Sequence, residues 1–374
     1  MSETLVSFIN KIPTSKRCLT LSIYQLGLPT SIRYPIGFYI VQVRDSNFIR
    51  KLAEAALERV GVPGSHAALQ ADLLMEAELR GVASHGLLRL SRIVSRVSNN
   101  VADPIATGAH TWLSEGFLSV DGQRGLGPVV ANAALEALID RARKTGIAAA
   151  AITNSNHIGM LAWYAEKAAL LGFSLVVLST SEALVHPWGA RKAMIGTNPI
   201  AIGIPTDSGP FVMDTATSVV SMGEIYDHAH RKAAMPDHWA LDENGNPTSD
   251  AEAAKKGAIA PFGQAKGYAL GLAFELLVSG LAASAIGREV SGTLDDTRIC
   301  NKGDLIIVMP GPRRDLSAYL QAIRQMEPAA GFDAVLIPGE RGRQCRDRRL
   351  REGVPIVGEV YESLLRLAGV SAVA

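Results

Sequence analysis

The sequence of 374 residues is long enough for two or three structural domains, and 48% apolar and 20% charged residues are typical of a globular protein. A formal net charge of +1 argues against a chain specialised for binding nucleic acid or a charged membrane surface. No apolar run approaches the ~20 residues that a membrane-spanning helix needs, so we expect no membrane partner.

The three cysteines, Cys18, Cys300 and Cys345, are widely spaced and form no C-x-x-C motif. An odd number of cysteines without this motif argues against a disulfide framework and against a structural zinc site. We therefore expect no metal site, and we expect a reducing compartment, the cytoplasm.

Residues 1–40 differ from the rest of the chain. They contain Pro13, Pro29 and Pro35, scattered serine and threonine, and a single acidic residue, Glu3. An acid-poor, Ser-rich composition is compatible with a mitochondrial transit peptide, but the prolines and the lack of an amphipathic period count against one. We interpret the segment as a disordered tail or, in preference, as an extension from a start codon assigned too far upstream.

The folded chain is predicted to begin near Val41 with a short strand. Apolar residues then recur at helical spacing over residues 49–60, and again over about residues 66–79. Two helices are therefore expected before residue 80.

A histidine and an arginine, His85 and Arg89, follow the second helix four positions apart. They share one face if this turn is helical. Together they then make an anion clamp, because a guanidinium binds a carboxylate with two parallel hydrogen bonds. An exposed basic face is the alternative that this stretch alone leaves open.

A glycine-rich loop, residues 122–128, leads into a predicted helix over residues 129–142. Such a loop before a helix indicates phosphate binding. However, the spacing is not G-x-G-x-x-G, and Pro128 removes a backbone donor where one is needed. The Rossmann fingerprint is absent here and elsewhere in the sequence, so a bound dinucleotide requires another architecture.

The most informative stretch is a polar turn, residues 154–160, between a buried strand at residues 146–152 and a helix at residues 161–171. This order of elements places His157 at the edge of a sheet near a helix start. Because imidazole titrates near neutral pH, His157 is a candidate for acid/base catalysis. A histidine that only caps the helix or fills space is the alternative.

Further polar groups follow later strands and one glycine-flanked helix start. Ser181, Asp214 and Thr217 come at or near strand ends and form either one polar rim of a sheet or ordinary turns. Lys266 begins a long apolar helix, where it either meets a phosphate or substrate oxygen or is simply solvated.

The C-terminal part alternates strand and helix patterns, with strands predicted at residues 304–309 and 335–337 around a helix at residues 316–325. Arginines crowd residues 341–351, but acidic residues lie among them and no aromatic residue interleaves. We therefore interpret this stretch as a solvated helix face rather than a nucleic-acid contact.

Together these stretches resemble the malate/L-lactate dehydrogenase family, NAD(P)-dependent oxidoreductases without a Rossmann fold that include ureidoglycolate, sulfolactate and diketogulonate oxidoreductases and cyclic-ketimine reductases. The resemblance covers about residues 41–370. Its motifs, in family order, are Arg80-Gly81, Ser84-His85-Gly86 with Arg89, Asn154-Ser155-Asn156-His157, Pro187-Trp188-Gly189, Gly196-Thr197-Asn198-Pro199, Asp214-Thr215-Ala216-Thr217, Lys266-Gly267-Tyr268 and Pro338-Gly339-Glu340. Each motif is weak alone, but the full set in this order is specific.

The resemblance implies an α/β fold of the sulfolactate dehydrogenase type, with a mixed-sheet cofactor domain and a helical domain built from N- and C-terminal parts. We expect the cofactor-binding domain at residues 116–289. The helical domain, which also binds substrate, is expected at residues 41–115 with 290–374. The resemblance also implies a homodimer.

The resemblance further implies a small 2-hydroxy or 2-oxo acid as substrate and NAD or NADP as cofactor. His157 is then the acid/base, while Ser84, His85 and Arg89 line the substrate site. The residues expected to contact the cofactor are Ser181, Arg191, Lys192, Asp214, Thr215, Ala216, Lys266, Pro338, Gly339 and Glu340.

Three departures from the family pattern make the substrate the least certain inference. Ile93 replaces an aromatic residue, Glu182 follows Ser181 where relatives often have Asp or Asn, and Gln264-Ala265 replaces Gly-His before Lys266. A cyclic-ketimine reductase that uses NADPH therefore stays an alternative. A cofactor-binding protein without catalysis is a further alternative, although the presence of His157, His85 and Arg89 together argues against it.

Overall fold

The computed structural model of the protein describes residues 41–370 and the short strand Ser31–Ile32. The strands are Ser31–Ile32 (β1), Val41–Arg44 (β2), Ala109–Ser114 (β3), Phe117–Asp121 (β4), Ala148–Thr153 (β5), Phe173–Ser179 (β6), Ile200–Ile204 (β7), Phe211–Thr215 (β8), Ala240–Leu241 (β9), Ala258–Ile259 (β10), Asp304–Pro310 (β11) and Val354–Val357 (β12). The helices are Ser46–Glu58 (α1), Gly64–Leu79 (α2), Leu90–Ser98 (α3), Gly127–Thr145 (α4), Ala162–Leu170 (α5), Met222–His230 (α6), Ala251–Ala254 (α7), Ala265–Ala282 (α8), Ser317–Arg324 (α9), Glu340–Glu352 (α10) and Gly358–Ala368 (α11).

A seven-stranded mixed sheet with the order β3-β4-β5-β11-β6-β7-β8 is the centre of the structure. Only β4 and β5 run parallel to each other within it, and the other neighbours are antiparallel. Helices cover both faces, so the central strands are nearly continuous apolar runs. In β11, Ile306 and Val308 face the cluster with α4 and α5, while Leu305 faces α8.

Strand β11 pairs with β5 on one side and with β6 on the other. The predicted boundary at residue 289 assigns this strand to the helical domain, whereas its hydrogen bonds place it inside the sheet. The sequence could not reveal this, because an apolar strand pattern does not indicate where in a sheet the strand inserts. The division into two domains otherwise stays a prediction.

A second core holds the helical layer together. Helices α1, α2, α3 and α11 pack with β2 and β12 around residues such as Ile49, Leu57, Leu74 and Leu90, all 2% exposed or less. Strand β1 extends this small sheet by pairing with β2. It falls within residues 1–40, and the rest of that predicted tail lies outside the described residues.

The expectation that no segment has the length and composition of a membrane span is wrong for helix α8. This 18-residue helix is long and apolar enough to cross a membrane, and 33% of its window is buried inside the protein. The count of uninterrupted apolar residues missed it because Lys266 and Glu275 interrupt the run. Its buried side packs against the sheet through Val278 and Ala282, and a core helix passes the same test.

The arginine-rich helix α10 differs from the solvated face that the sequence indicated. Three of its arginines bind neighbouring elements: Arg346 pairs with Glu76 at 2.9 Å, Arg349 donates to the carbonyl of Glu78, and Arg343 donates to the carbonyl of Pro210. The helix is thereby fastened to α2 and to the start of β8. Residues 335–337, predicted as a strand, are an irregular segment that precedes this helix. The backbone N–H of Ile337 donates to the carboxylate of Glu340 in the first turn of the helix.

Glu78 on α2 supports the loop that carries His85. Its carboxylate accepts a hydrogen bond of 2.8 Å from the backbone N–H of Leu87, and a Cβ at Gly86 would overlap the carboxylate. Only 5% of Glu78 is exposed, and this burial raises its pKa from 4.5 to about 7. The folded protein therefore holds this proton more tightly than the unfolded chain does.

We expect the free energy of unfolding to fall as the pH rises from about 4.5 to about 7, because the carboxyl ionises more easily in the unfolded chain. Glu78→Gln keeps an oxygen that accepts from Leu87 but removes this ionisation. The variant should be more stable than the wild type at pH 8 by about 1–3 kcal/mol, and equally stable at pH 4. Urea denaturation at both pH values measures the difference. The exposed Glu243→Gln is the control, and a destabilised Glu78→Gln at pH 8 would contradict the account.

Candidate active site

The turn after β5 holds His157 in one orientation. Its Nδ1 accepts a hydrogen bond of 3.0 Å from the backbone N–H of Gly159. A nitrogen that accepts this bond carries no proton, so the neutral ring bears its proton on Nε2. The buried hydroxyl of Tyr164 fixes the same turn by donating to the carbonyl of Ile158 at 2.7 Å.

The glycine-rich loop that indicated a phosphate site packs against the backbone of this turn. A Cβ added at Gly127 would overlap the backbone carbonyl of His157, and a Cβ added at Gly122 would lie 2.8 Å from the Cβ of Ser155. The side-chain amide of Asn156 donates to the carbonyls of Arg124 and Gly125. The glycines thus permit a close approach that positions the histidine.

Two consecutive 3₁₀ turns, Ala83–His85 and Leu87–Arg89, bring the predicted substrate residues to His157. The rings of His85 and His157 lie 5.5 Å apart between centroids, and the Ser84 hydroxyl lies 3.0 Å from Nδ1 of His85. The Arg89 guanidinium donates to the carbonyl of Ser84 at 2.9 Å and to that of Thr293 at 3.4 Å. Its remaining donors have no hydrogen-bond partner among the residues that the structure describes, so they can bind an anion.

His85, Arg89 and His157 line a cleft with about 510 Å³ of empty space, part of it open to solvent. Apolar side chains such as Leu73, Leu126 and Ile93 make up much of its wall, and no described residue that lines it is Asp or Glu. Such a mixture of apolar wall and few polar groups is typical of a site for a small molecule. The absence of acids gives the cleft an excess of positive charge.

Burial and this positive charge keep both histidines neutral at physiological pH. Burial and, to a smaller extent, the charge of Arg89 lower the pKa of His85 to about 3. The pKa of His157 is also held well below its ordinary value, by burial and then by Arg89 and His85. Burial lowers the pKa of Arg89 to about 10, so this guanidinium stays charged.

A chain of hydrogen bonds joins Ser181, a predicted cofactor residue, to Thr197 and Thr217, and these three residues form a hydroxyl rim. The Ser181 hydroxyl accepts from the backbone N–H of Thr197 at 3.0 Å, and the carbonyl of Thr197 accepts from the backbone N–H of Thr217 at 2.8 Å. Thr217 packs closely against Gly271 of α8, since a Cβ added at Gly271 would lie 2.8 Å from the Thr217 hydroxyl. The ends of β6 and β8 and helix α8 therefore meet.

Asp214 connects this rim to the histidine turn. Its carboxylate accepts from the backbone N–H of Ala162 at 2.7 Å, at the start of α5. Desolvation by the protein around it raises its pKa to about 6, against the backbone N–H groups that favour the ionised form. Asp214 has this structural partner although it is exposed, as Thr215 next to it is, and Ala216 is half-buried.

The remaining predicted cofactor residues divide into two groups. Gly339 touches β8, where a Cβ would lie 2.5 Å from the carbonyl of Val212, and Pro338 beside it is exposed. The Glu340 carboxylate is already engaged: burial opposes its ionisation, but the N–H of Ile337 and the ion pair with Arg324 at 2.6 Å hold its pKa below the ordinary value.

Three predicted cations are exposed. Lys266 lies in the first turn of α8, and its ammonium has no partner among the described residues. Arg191 and Lys192 lie on a surface turn, where Arg191 approaches Asn246 at 3.5 Å. No contact between described residues joins these two side chains to the hydroxyl rim.

Sequence reasoning missed Glu182 as a link between this rim and the cleft. One of its carboxylate oxygens accepts from the N–H and the hydroxyl of Thr293 and from the N–H of Leu294, at 2.8–3.0 Å. Thr293 in turn binds Arg89. The only sequence signal was that glutamate departs from the family pattern at this position.

Two further arginines, Arg92 and Arg96, were also missed. They line the cleft on the same side of α3 as Arg89. Their spacing of three and seven residues from Arg89 is that of one helix face, which could have revealed them.

One group of side chains outside the cleft has the geometry of metal ligands. Ligand atoms of Glu224, Asp227 and His228 lie within 4.8 Å of one another on α6. Both carboxylates are exposed, and Asp227 pairs with Arg231 at 2.5 Å. Exposed acidic groups of this kind are common without a metal ion.

Comparison with known proteins agrees with the family that the motifs indicated. The malate/L-lactate dehydrogenase family model matches residues 45–365. The chain is 34% identical, over 85% of its length and 97% of the relative, to the Delta(1)-pyrroline-2-carboxylate/Delta(1)-piperideine-2-carboxylate reductase of Pseudomonas aeruginosa.

Solved structures with the same fold include a dehydrogenase from Sinorhizobium meliloti, with a TM-score of 0.86 and 48% identity over 89% of this chain and 100% of that one. The sulfolactate dehydrogenase of Methanocaldococcus jannaschii follows with a TM-score of 0.82 and 31% identity over 88% and 98%. The predicted fold class is thereby confirmed. The protein belongs to the malate/L-lactate dehydrogenase family and is an oxidoreductase that uses a nicotinamide cofactor and a small-molecule substrate.

Proposed function

We propose that the protein interconverts a small 2-hydroxy acid and its 2-oxo acid in the cleft around His157, with His157 as the acid/base. The observation that carries the proposal is the convergence of two neutral histidines and a fixed arginine in a cleft without acids. This arrangement suits a substrate with a carboxylate next to the reacting C–O group, because the cation of Arg89 and the proton-bearing nitrogen of His157 lie close together.

Arg89 binds the substrate carboxylate in this proposal. Two carbonyls already fix its guanidinium, so little side-chain freedom remains to be lost on binding. The carboxylate also neutralises a charge that the cleft leaves unpaired.

His157 holds a proton on Nε2, which it donates toward the substrate oxygen during reduction. A neutral imidazole can polarise a carbonyl in this way. In the oxidation direction Nε2 receives the hydroxyl proton after its own proton has left through His85, which with its Ser84 partner is the adjacent group that can exchange it.

The residues of the rim fit a dinucleotide. The exposed ammonium of Lys266, at the start of an 18-residue helix, suits a phosphate, and the hydroxyls of Ser181 and Thr215 suit ribose or amide groups. When bound, the nicotinamide supplies or accepts the hydride.

Reduction of a cyclic ketimine is the second candidate. It is supported by the 34% identity to a reductase whose name specifies such substrates. A cyclic imine that carries a 2-carboxylate offers Arg89 the same anion, and its nitrogen takes the place of the carbonyl oxygen. Assays of purified protein on 2-oxo acids and on cyclic imines distinguish the two.

His157→Ala should retain cofactor binding and lose turnover by roughly 10²–10⁴-fold, since proton transfer by a positioned side chain contributes that much. Stopped-flow and steady-state assays measure turnover, and quenching of protein fluorescence measures cofactor binding. The exposed His238→Ala is the matched control and should behave as the wild type. Near-normal turnover of a folded His157→Ala would remove this residue from the mechanism.

For the cofactor we propose NADP in preference to NAD. The adjacent cations Arg191 and Lys192 are exposed, and a 2′-phosphate carries the negative charge that they can neutralise. A turn that is merely solvated is the alternative interpretation.

The ratio of kcat/KM for NADPH over that for NADH should exceed one in the wild type. It should fall by roughly tenfold or more in Arg191→Ala/Lys192→Ala, because hydrogen bonds to charged groups contribute about 1.5–3 kcal/mol each. Lys256→Ala, which removes a cation elsewhere on the surface, serves as control. A wild-type preference for NADH, or a ratio that the double substitution leaves unchanged, contradicts the proposal.

We also propose that the protein is a homodimer. Helix α8 exposes Leu270, Leu276, Leu277 and Leu281, each more than 40% accessible, and such an uncharged surface is suited to a subunit interface. Equilibrium sedimentation should give twice the chain mass, and a monomer at micromolar concentration would refute this.

A further inference from the structure

Glu182 fastens a turn that forms part of the cleft wall. This turn, residues 292–294, is called the Thr293 turn below, and Gly292 and Thr293 in it line the cleft. One carboxylate oxygen of Glu182 accepts from the N–H of Thr293 at 2.8 Å, from its hydroxyl at 3.0 Å and from the N–H of Leu294 at 2.9 Å. Thr293 is only 4% exposed, so water is a poor substitute for this oxygen.

The guanidinium of Arg89 makes two hydrogen bonds to described residues, and they come from different parts of the chain. Its Nε donates to the carbonyl of Ser84 at 2.9 Å, within the same pair of 3₁₀ turns. Its Nη1 donates to the carbonyl of Thr293 at 3.4 Å, 204 residues further along the chain. A bond at Nε alone leaves the planar group able to tilt, whereas a second bond at Nη1 fixes its plane. The Thr293 carbonyl therefore decides where the remaining donors point.

The residues after the Thr293 turn have their own attachment to α3. The Arg96 guanidinium donates to the carbonyl of Asp295 at 2.8 Å, and the side-chain amide of Asn99, just after the helix, donates to the carbonyl of Asp296 at 2.9 Å. Neither bond involves the carboxylate at residue 182. Removal of that carboxylate should therefore release the Thr293 turn and leave the rest of the loop in place.

The charge of Glu182 and its hydrogen bonds have opposite effects on an anion in the cleft. The charge acts on Arg89, whose pKa of about 10 keeps the guanidinium protonated at neutral pH. A negative charge at this place also repels an anion bound to Arg89, so its removal alone would strengthen anion binding. Weaker anion binding after loss of the carboxylate would therefore come from lost orientation.

We propose that Glu182 is a positioning residue, which holds the Thr293 turn and through its carbonyl orients the guanidinium of Arg89 for the substrate carboxylate. This inference rests on the proposed function, because Arg89 must hold that carboxylate. A guanidinium that is already oriented loses little conformational freedom when the substrate binds. One that has lost its second bond must be ordered by the substrate itself, and binding is weaker.

A double-mutant cycle tests the inference. With saturating nicotinamide cofactor, Glu182→Ala should raise the KM for the active 2-oxo acid by roughly 5- to 30-fold and change kcat less, since residues in one hydrogen-bond network couple to this extent. In an Arg89→Met background, Glu182→Ala should have no further effect, because the group that it orients is gone.

Glu182→Gln separates orientation from charge. Its amide oxygen can still accept from the Thr293 turn, whereas the negative charge is gone, so the KM should equal that of the wild type or fall. A purely electrostatic role predicts a lower KM in both Glu182→Gln and Glu182→Ala. Thr293→Val removes only the hydroxyl donor, and it should raise the KM in the same direction as Glu182→Ala but by a smaller factor.

The control is Glu243→Ala, which removes an exposed glutamate and should leave the KM unchanged. Thermal melting shows whether each variant is folded. An unchanged or lower KM in a folded Glu182→Ala overturns the inference, and so do effects of Glu182→Ala and Arg89→Met that multiply in the double variant. If Glu182→Ala does not fold, an unchanged KM in Thr293→Val overturns it.

A binding measurement separates this inference from the proposed function. In calorimetric titrations with oxamate, a carboxylate with an adjacent carbonyl, Glu182→Ala and Arg89→Met should each bind more weakly than the wild type, and the double variant should bind as Arg89→Met does. A protein that reduces no 2-oxo acid but shows this pattern refutes the proposed function and retains the role of Glu182. An active enzyme whose Glu182→Ala variant binds oxamate as tightly as the wild type refutes the role of Glu182 alone.

Discussion

The close backbone contact between Gly127 and His157 is the constraint on which the active site depends. A side chain at residue 127 would overlap the His157 carbonyl, so only glycine permits the approach. The contact joins the start of α4, which covers one face of the sheet, to the turn that follows β5. The Gly159 N–H and the Tyr164 hydroxyl then fix that turn from its other side. The fold and the tautomer of the histidine are thereby determined together.

Charge is the second organising feature, and it gives the cleft its preference for anions. Burial and neighbouring cations keep His85 and His157 neutral, which lets them act as hydrogen-bond partners without adding to the repulsion. Glu182, whose charge acts on Arg89, holds the Thr293 loop, and no described residue that lines the cleft is an acid. Free arginine donors in such a site favour a negatively charged ligand over water, because the anion supplies both hydrogen bonds and charge.

Much of the fold was predictable from the sequence, because the strand and helix patterns from Val41 onward are strong and the motifs occur in family order. The prediction that His157, His85 and Arg89 lie in one site rested on the resemblance to the family. No local pattern shows that residues 72 positions apart, such as His85 and His157, share a cleft. The place of β11 in the sheet and the role of Glu182 could not be predicted, because both depend on long-range pairing. The contacts of three arginines of α10 could not be predicted for the same reason, because their partners lie on α2 and before β8.

The most direct test of the central claim is the KM of Arg89→Lys for whichever 2-oxo acid the wild type reduces. A lysine keeps the positive charge but cannot make the two-pronged contact with a carboxylate. The account predicts a KM raised by about 10- to 100-fold with a smaller effect on kcat, because the lost hydrogen bond is to a charged group. An unchanged KM for every active 2-oxo acid would contradict it, since the substrate carboxylate would then bind elsewhere.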